Sequence, residues 1–464
     1  MRRPRFARAA LGAGVLALAG ATALAAAGRD PFTGWYYHFA WYPTLLAADA
    51  GLALREGRSA WLGRPAFALS LALWSVAAWL LFEAVNLRLA NWYYVFADPS
   101  PPVRRIATAL AFATVLPAIF LAHRWLASLG VARLKIRPIH WPARHPVSLT
   151  LLGVGFAGIA LWRPDLFFPL VWGAVTLLLE PYNLRRDPSR SLVADLARGR
   201  PGRIVRLLVA GGLVGIAWES FNALARTRWI YTVPGLEDAK LFEMPLPGYF
   251  GFPVFALDCF VIYGALVNAR LAVAGWTERA GEIAPSGVSG RRLAWVAPLV
   301  VLGALGVMRG MDRWTVDSYH PRLSALPGST ADEVRRLVRA GIPSVEALAD
   351  ADPRWVAERA GLPPDRARRW TDLARLATLR GIGLENARAL DRRGLGSICA
   401  LAGAEVDDAR SAVRELRADP HAGRPARMRT WLRAAREACG RSAAPADRAR
   451  GTTDHDETGM ERIR

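Results

Sequence analysis

The chain has 464 residues, of which 60 are Lys or Arg and 39 are Asp or Glu, giving a formal charge of +21. Apolar residues make up 53% and charged residues 21%, against about 45–50% and about 25% in an average chain. That balance excludes a disordered chain, and only three cysteines (Cys259, Cys399 and Cys439) exclude a disulfide scaffold.

The positive charge is almost all arginine, because Lys135 and Lys240 are the only lysines. Residues 321–464 hold 27 Arg against 21 acidic residues, so most of the excess lies in residues 1–320, between apolar runs. Positive cytoplasmic loops of a membrane protein explain that pattern better than nucleic-acid binding does.

A bilayer core about 30 Å thick needs about 20 apolar residues per helix. Nine segments qualify, near 9–28, 33–54, 66–88, 104–129, 147–162, 165–182, 204–225, 250–274 and 293–311. The first follows Met-Arg-Arg-Pro-Arg and ends at Ala25-Ala26-Ala27, so residues 1–28 read either as a signal-like segment or as a first retained span. Basic loops at 55–64, 130–146, 183–206 and 270–292 fall on one side if the N-terminus is cytoplasmic. The opposite loops carry Trp92, Tyr94, Trp229 and Tyr231, as interfacial aromatics do.

An internal repeat runs through this half. Gly63-Arg64-Pro65 recurs as Gly199-Arg200-Pro201, Glu83 and Asn86 as Glu219 and Asn222, and Pro117 as Pro253, all offset by 136 residues. Trp92 and Tyr94 recur one residue later, as Trp229 and Tyr231. The expectation is two copies of a four-helix unit, within 29–162 and 163–311, parallel and related by a pseudo-two-fold along the membrane normal.

Glu83 and Asn86 are three residues apart and share a helix face, as do Glu219 and Asn222. Asp258 and His38 fall at the same end of their segments. Ionisable groups inside spans are costly and usually face a bundle interior or a wet cavity. These six residues therefore define an expected intramembrane polar site between the copies. The bland alternative is that each Glu and Asn bonds Trp, Tyr or Arg groups of the opposite copy and locks helix ends together. A third Glu-x-x-Asn, Glu180 with Asn183, is less telling because it sits at the other interface. No dinucleotide, P-loop, nucleophile-elbow or metal-ligand spacing is present, so no catalytic residue, cofactor or metal is assigned.

After residue 311 the pattern becomes Arg-rich and short-helical. LPGSTADEVRRLVRAGIPSVEALA aligns with LRGIGLENARALDRRGLGSICALA at an offset of 53, with ten of 24 positions identical. The second copy has a helix-hairpin-helix pattern, with Gly381-Ile382-Gly383 as the turn, and Ser344 and Ser397 are N-cap candidates. Residues 321–440 are similar to an uncharacterised tandem helix-hairpin-helix family of bacteria, and the membrane half resembles uncharacterised bacterial multi-pass proteins. In such modules the turn offers backbone N–H groups to phosphate, which implies nucleic-acid contact at Gly381, Ile382 and Gly383. Against this, Glu385 stands where a basic residue would help, and the first copy lacks the Gly-Ile-Gly turn. A protein partner or self-association through 321–440 is the better expectation, with 441–464 a disordered end.

The fold class expected is all-α: a polytopic helical protein of the bacterial inner membrane, in contact with membrane lipids, with a soluble domain over 312–440. Nine spans from a cytoplasmic N-terminus put that domain outside the cytoplasm. The leading function is non-enzymatic transport or sensing of a solute, ion or lipid at the polar site. The rivals are an intramembrane enzyme acting on a lipid or isoprenoid, and a scaffold whose polar residues are all structural.

Overall fold

Long apolar runs between Pro- and Gly-marked breaks become helices, because a helix satisfies its own backbone polar groups. The computed structural model describes residues 4–59, 61–233, 240–275, 287–416 and 424–443. The chain divides into two compact units, Met1–His320 and Pro321–Arg464.

The first unit begins with α1 (Pro4–Ala26), α2 (Tyr36–Glu56), α3 (Pro65–Leu89), β1 (Trp92–Val95), α4 (Pro101–Phe112) and α5 (Val115–Ser128). It continues through α6 (Trp141–Arg144), α7 (Pro146–Trp162), α8 (Pro164–Phe167), α9 (Val171–Arg186), α10 (Leu192–Ala197), α11 (Gly202–Leu224) and β2 (Arg228–Tyr231). Two short strands, β3 (Lys240–Leu241) and β4 (Met244–Pro245), precede α12 (Gly251–Asn268) and α13 (Gly290–Trp314). The chain is thus mostly helical, with four short strands among the described residues added to the expected helices.

Among the described residues, six segments are long and apolar enough to cross a membrane: Pro4–Ala26, Pro65–Leu89, Pro101–Ser128, Gly202–Leu224, Leu246–Asn268 and Gly290–Trp314. The other three expected segments are helical but differ in form. α2 carries Pro43 inside it, α7 has 17 residues, and α9 is broken at Trp172 and Gly173, where Gly173 takes φ 93°. α1 packs along α2 and α7 along α9. The first contact is close at Gly14, where a Cβ would meet the Pro43 carbonyl oxygen at 2.8 Å. α11 and α12 are tighter still: a Cβ on Gly211 would lie 2.4 Å from the Phe252 carbonyl oxygen.

The unit ends later than the apolar pattern does. α13 runs to Trp314, and residues 315–320 then lie alongside β1: Tyr94 N–H donates to Thr315 O at 2.7 Å and Asp317 N–H to Tyr94 O at 2.8 Å.

The second unit holds α14 (Ala331–Arg339), α15 (Val345–Asp350), α16 (Pro353–Ala360), α17 (Pro364–Thr378), α18 (Gly383–Asp391), α19 (Ile398–Ala402), α20 (Val406–Leu416) and α21 (Pro425–Ala443). The 53-residue offset is visible in its geometry. Ser344 and Ser397 cap α15 and α19, each accepting from the N–H three residues on at 3.2 Å. Gly341 and Gly394 both take left-handed φ, at 88° and 78°, where a side chain would be strained. Trp370 and Trp431 are fully buried in its core. Cys399 and Cys439 form a disulfide with Cα atoms 5.2 Å apart, so one crosslink exists where the cysteine count gave no reason to expect a scaffold. Residues 441–443 complete α21, and the expected disordered end from 444 lies outside the described residues.

Candidate functional site

The aromatic segments that read as interfacial loops pair with each other as strands. β1 and β2 run antiparallel with Trp92 opposite Tyr231, Tyr93 opposite Ile230 and Tyr94 opposite Trp229. Trp92 and Trp229 are repeat equivalents, as are Tyr94 and Tyr231, so the ladder is symmetric about the Tyr93–Ile230 pair. Within the ladder, the strand two-fold exchanges each aromatic residue with its sequence-repeat equivalent.

Each strand is held by the asparagine of its own copy. Asn86 donates to Trp92 O at 3.0 Å and accepts from Asn91 N–H at 2.9 Å and Trp92 N–H at 3.4 Å. Asn222 donates to Trp229 O at 2.9 Å and accepts from Trp229 N–H at 3.0 Å. Both side chains are fully buried. The one-residue slip of the repeat is absorbed here, because Asn86 spans two backbone N–H groups and Asn222 one.

The glutamates stand beside them. Glu83 Oε1 accepts from Trp79 Nε1 at 3.0 Å, Trp92 Nε1 at 3.0 Å and Tyr94 OH at 2.5 Å. Glu219 Oε1 accepts from Tyr231 OH at 3.0 Å, which in turn accepts from Trp229 Nε1 at 2.8 Å. These donors belong to each glutamate's own copy, not to the opposite one as the bland alternative had it, because the helix–strand turn carries the strand back over its own helix end. Oε2 of both residues is buried and makes no hydrogen bond, and both side chains are fully buried.

A cavity of about 180 Å³ lies in front of these groups. Its wall is mostly aromatic carbon, including Tyr37, Trp79, Trp92, Tyr94, Trp172, Trp218, Trp229, Tyr231 and Phe255. Rings of the two copies meet across it, Trp79 and Trp218 at 6.0 Å between centroids and Tyr37 and Trp229 at 5.4 Å. His38 is on the wall, with Nε2 2.8 Å from Ala107 O. Glu83, Asn86, Glu219 and Asn222 are not wall residues; they stand behind the rings that are. Near one edge of the cavity Arg104 and Arg105 share Asp312, at 2.6 and 3.2 Å, and Arg228 also lines the wall with a buried Nε that makes no hydrogen bond.

Asp258 does not join the expected cluster. Its carboxylate accepts from Gly173 N–H at 3.0 Å, and from Thr176 N–H at 2.8 Å and Thr176 Oγ1 at 2.5 Å. It caps the helix segment that restarts after the break in α9, where orphan N–H groups need an acceptor. Glu180 has a similar task, accepting from Ser191 Oγ and the Leu192 and Val193 N–H groups at the start of α10. Asp49 accepts from Trp61 and Leu62 N–H, in the turn before α3. Among the described residues, no three His, Cys, Asp or Glu side chains come together as a metal site.

Sequence reasoning overlooked Tyr37, Trp79, Trp172 and Trp218. Trp79 is one helical turn before Glu83, and Trp218 adjoins Glu219, so their nearness to the glutamates was a readable signal. Lys240 and Glu243 were also missed; Lys240 Nζ donates to Tyr231 O at 3.1 Å.

In the second unit the turn exists, with Gly381 at φ 71° and Gly383 at φ 77°. Gly381, Ile382 and Gly383 are all buried, and α21 packs over the turn. The Ile382 N–H is used within the turn, donating to Leu379 O at 3.0 Å.

Residues 327–438 match the family model described as a domain of unknown function, DUF4332. The second unit's sequence is thus similar to an uncharacterised domain family, and the match does not reach the first unit. No curated protein and no solved structure matches the chain.

Proposed function

We propose that the chain is a nine-span protein of the bacterial inner membrane that binds a small solute in the aromatic cavity between two parallel repeats, without turning it over. The observation that carries this reading is the cavity itself, walled by rings from both copies at the symmetric strand pair. α1 is then a retained span, since its contact at Gly14 matches a role as the helix that packs on α2, as α7 packs on α9. The pairing also supports a frame in which the copies start at α1 and α7 and α13 is the added helix. The rings stand between the cavity and the carboxylates, which argues against acid–base chemistry by Glu83 and Glu219.

The test is the Glu83→Gln/Glu219→Gln double variant, with lipid extracts of expressing cells compared by mass spectrometry. Unchanged lipid species in the wild type, the variant and an empty-vector strain support binding. A species made by the wild type and lost in the variant supports the intramembrane enzyme instead.

The second unit is read as a tandem helix-hairpin-helix domain that engages a protein partner or a second copy, outside the cytoplasm. The buried Gly381 turn argues against nucleic acid, and the Cys399–Cys439 bond suits an oxidising compartment. Alkylation of intact cells checks the side: Cys399 and Cys439 should react with a thiol reagent only after reduction. Free thiols reached only after lysis would place the domain in the cytoplasm.

A scaffold role is the second reading. Asn86, Asn222, Asp258 and Glu180 each spend their polar atoms on backbone or neighbouring groups, which favours it for those four.

A further inference from the structure

The cavity has an uneven charge surround. Behind the ring wall stand two fully buried carboxyl groups, and each keeps one oxygen without a hydrogen bond. Glu83's donors are all neutral, two indole N–H groups and one phenol. As an anion it is a buried charge with no cation bonded to it; as a neutral acid it buries an O–H with no acceptor. Either state is costly, and a cation in the adjoining cavity relieves it. The donor edges of Trp79, Trp92 and Tyr94 are turned to the carboxylate, so these residues leave ring carbon for the cavity. Donation to an anion also makes those rings richer in electrons. Desolvated aromatic walls of this kind attract ammonium groups, quaternary ones above all.

The charged part of the wall carries the opposite sign. Arg104 and Arg105 share one carboxylate, that of Asp312. Asp98 O accepts from Arg104 Nη1, while its side chain accepts from Ser100 N–H. Arg228 adds a third guanidinium with a buried, unpartnered Nε. Among the described wall residues, three guanidiniums thus face two carboxylates. A volume of about 180 Å³ holds a solute on the order of ten heavy atoms, at roughly 15 Å³ for each water-sized group.

We infer that the cavity takes a small zwitterion, with an organic ammonium against the aromatic wall and an anionic group at Arg228. Resting on the solute-binding reading above, this names the solute's class. Phosphocholine has both groups at the right scale.

The test uses the full-length protein purified in an uncharged sugar detergent. Tryptophan fluorescence and calorimetry follow titrations with phosphocholine, choline and 3,3-dimethylbutanol, the neutral isostere of choline. Phosphocholine should bind tightest. The neutral isostere should bind at least about thirtyfold more weakly than choline, the worth of one desolvated cation–π contact. Arg228→Ala should bring phosphocholine down to choline's affinity and leave choline unchanged. If 3,3-dimethylbutanol binds as well as choline, the cation assignment is wrong while solute binding stands. If an anionic amphiphile such as decanoate binds and choline does not, the wall has been given the wrong sign. If none of these binds, the zwitterion assignment is overturned, and the lipid comparison above separately decides whether the protein binds or transforms its solute. The ligand comparisons need no variant, so a misfolded substitution does not blunt them.

Discussion

Replacing Asn86 or Asn222 by Ala removes a clamp that lies behind the cavity wall, on the backbone of Trp92 or Trp229. Asn222 makes two hydrogen bonds to one strand residue, and Asn86 makes three to two residues. Each lost bond costs about 1 kcal/mol net, and a buried backbone group left without a partner costs about 1–3 kcal/mol. The N–H and C=O of Trp229 are both orphaned by Asn222→Ala, which gives a loss of about 2–4 kcal/mol. Asn86→Ala orphans one more N–H but its 3.4 Å bond is long, so the expected loss falls in the same range. The assay is unfolding in mixed micelles with a rising fraction of SDS, following tryptophan fluorescence. Leu69→Ala, on the exposed face of α3, is the control and should cost under about 0.5 kcal/mol. The symmetric role requires both asparagine variants to lose stability together. A loss below about 1 kcal/mol in either one, with the other large, would refute the claim that the two copies use one clamp.

Two further outcomes are expected. Gly211→Ala should destabilise the α11–α12 contact by about 1–3 kcal/mol, since its Cβ would meet a carbonyl oxygen, whereas Gly212→Ala, with its nearest neighbour 4.0 Å away, should be close to neutral in the same titration. In the second unit, Glu333 closes a capping box with Thr330 and pairs with Arg366. The backbone N–H of Thr330 in particular holds its carboxyl below the ordinary value of 4.5, and burial opposes this only in part. Because the folded state prefers the ionised form, the stabilisation is present above pH 4.5 and is lost as pH falls through the lower folded value. Limited proteolysis of the full chain between pH 6 and 3 should show that loss in the wild type, and a flatter profile in Glu333→Gln. An equally steep profile in the variant would assign the acid sensitivity to other groups.

The repeat was legible because Glu, Asn and Pro sit at fixed offsets on helices, where spacing maps directly onto a face. Ser344 and Ser397 were legible as caps for the same local reason. What escaped was decided by tertiary geometry. Strands of four residues are too short for alternation to mark, so WYYV and RWIY read as interfacial aromatics. Asp258 was grouped with the glutamates by depth, yet its partners are the N–H groups exposed by the break at Trp172 and Gly173, which no periodicity announces. The Gly381 turn was recognised from its glycines. Its burial depends on α21, more than 40 residues away.

The β1–β2 ladder also constrains kinematics. At the strand end the two copies are riveted by backbone pairing over four residues. At the other end Arg64 donates to Gly275 O at 2.8 Å and Trp74 to Leu271 O at 3.1 Å, which ties α3 to the chain after α12. Any displacement of one copy against the other must therefore break backbone pairing at one place and these two side-chain bonds at another, so the copies are tied at two separate points.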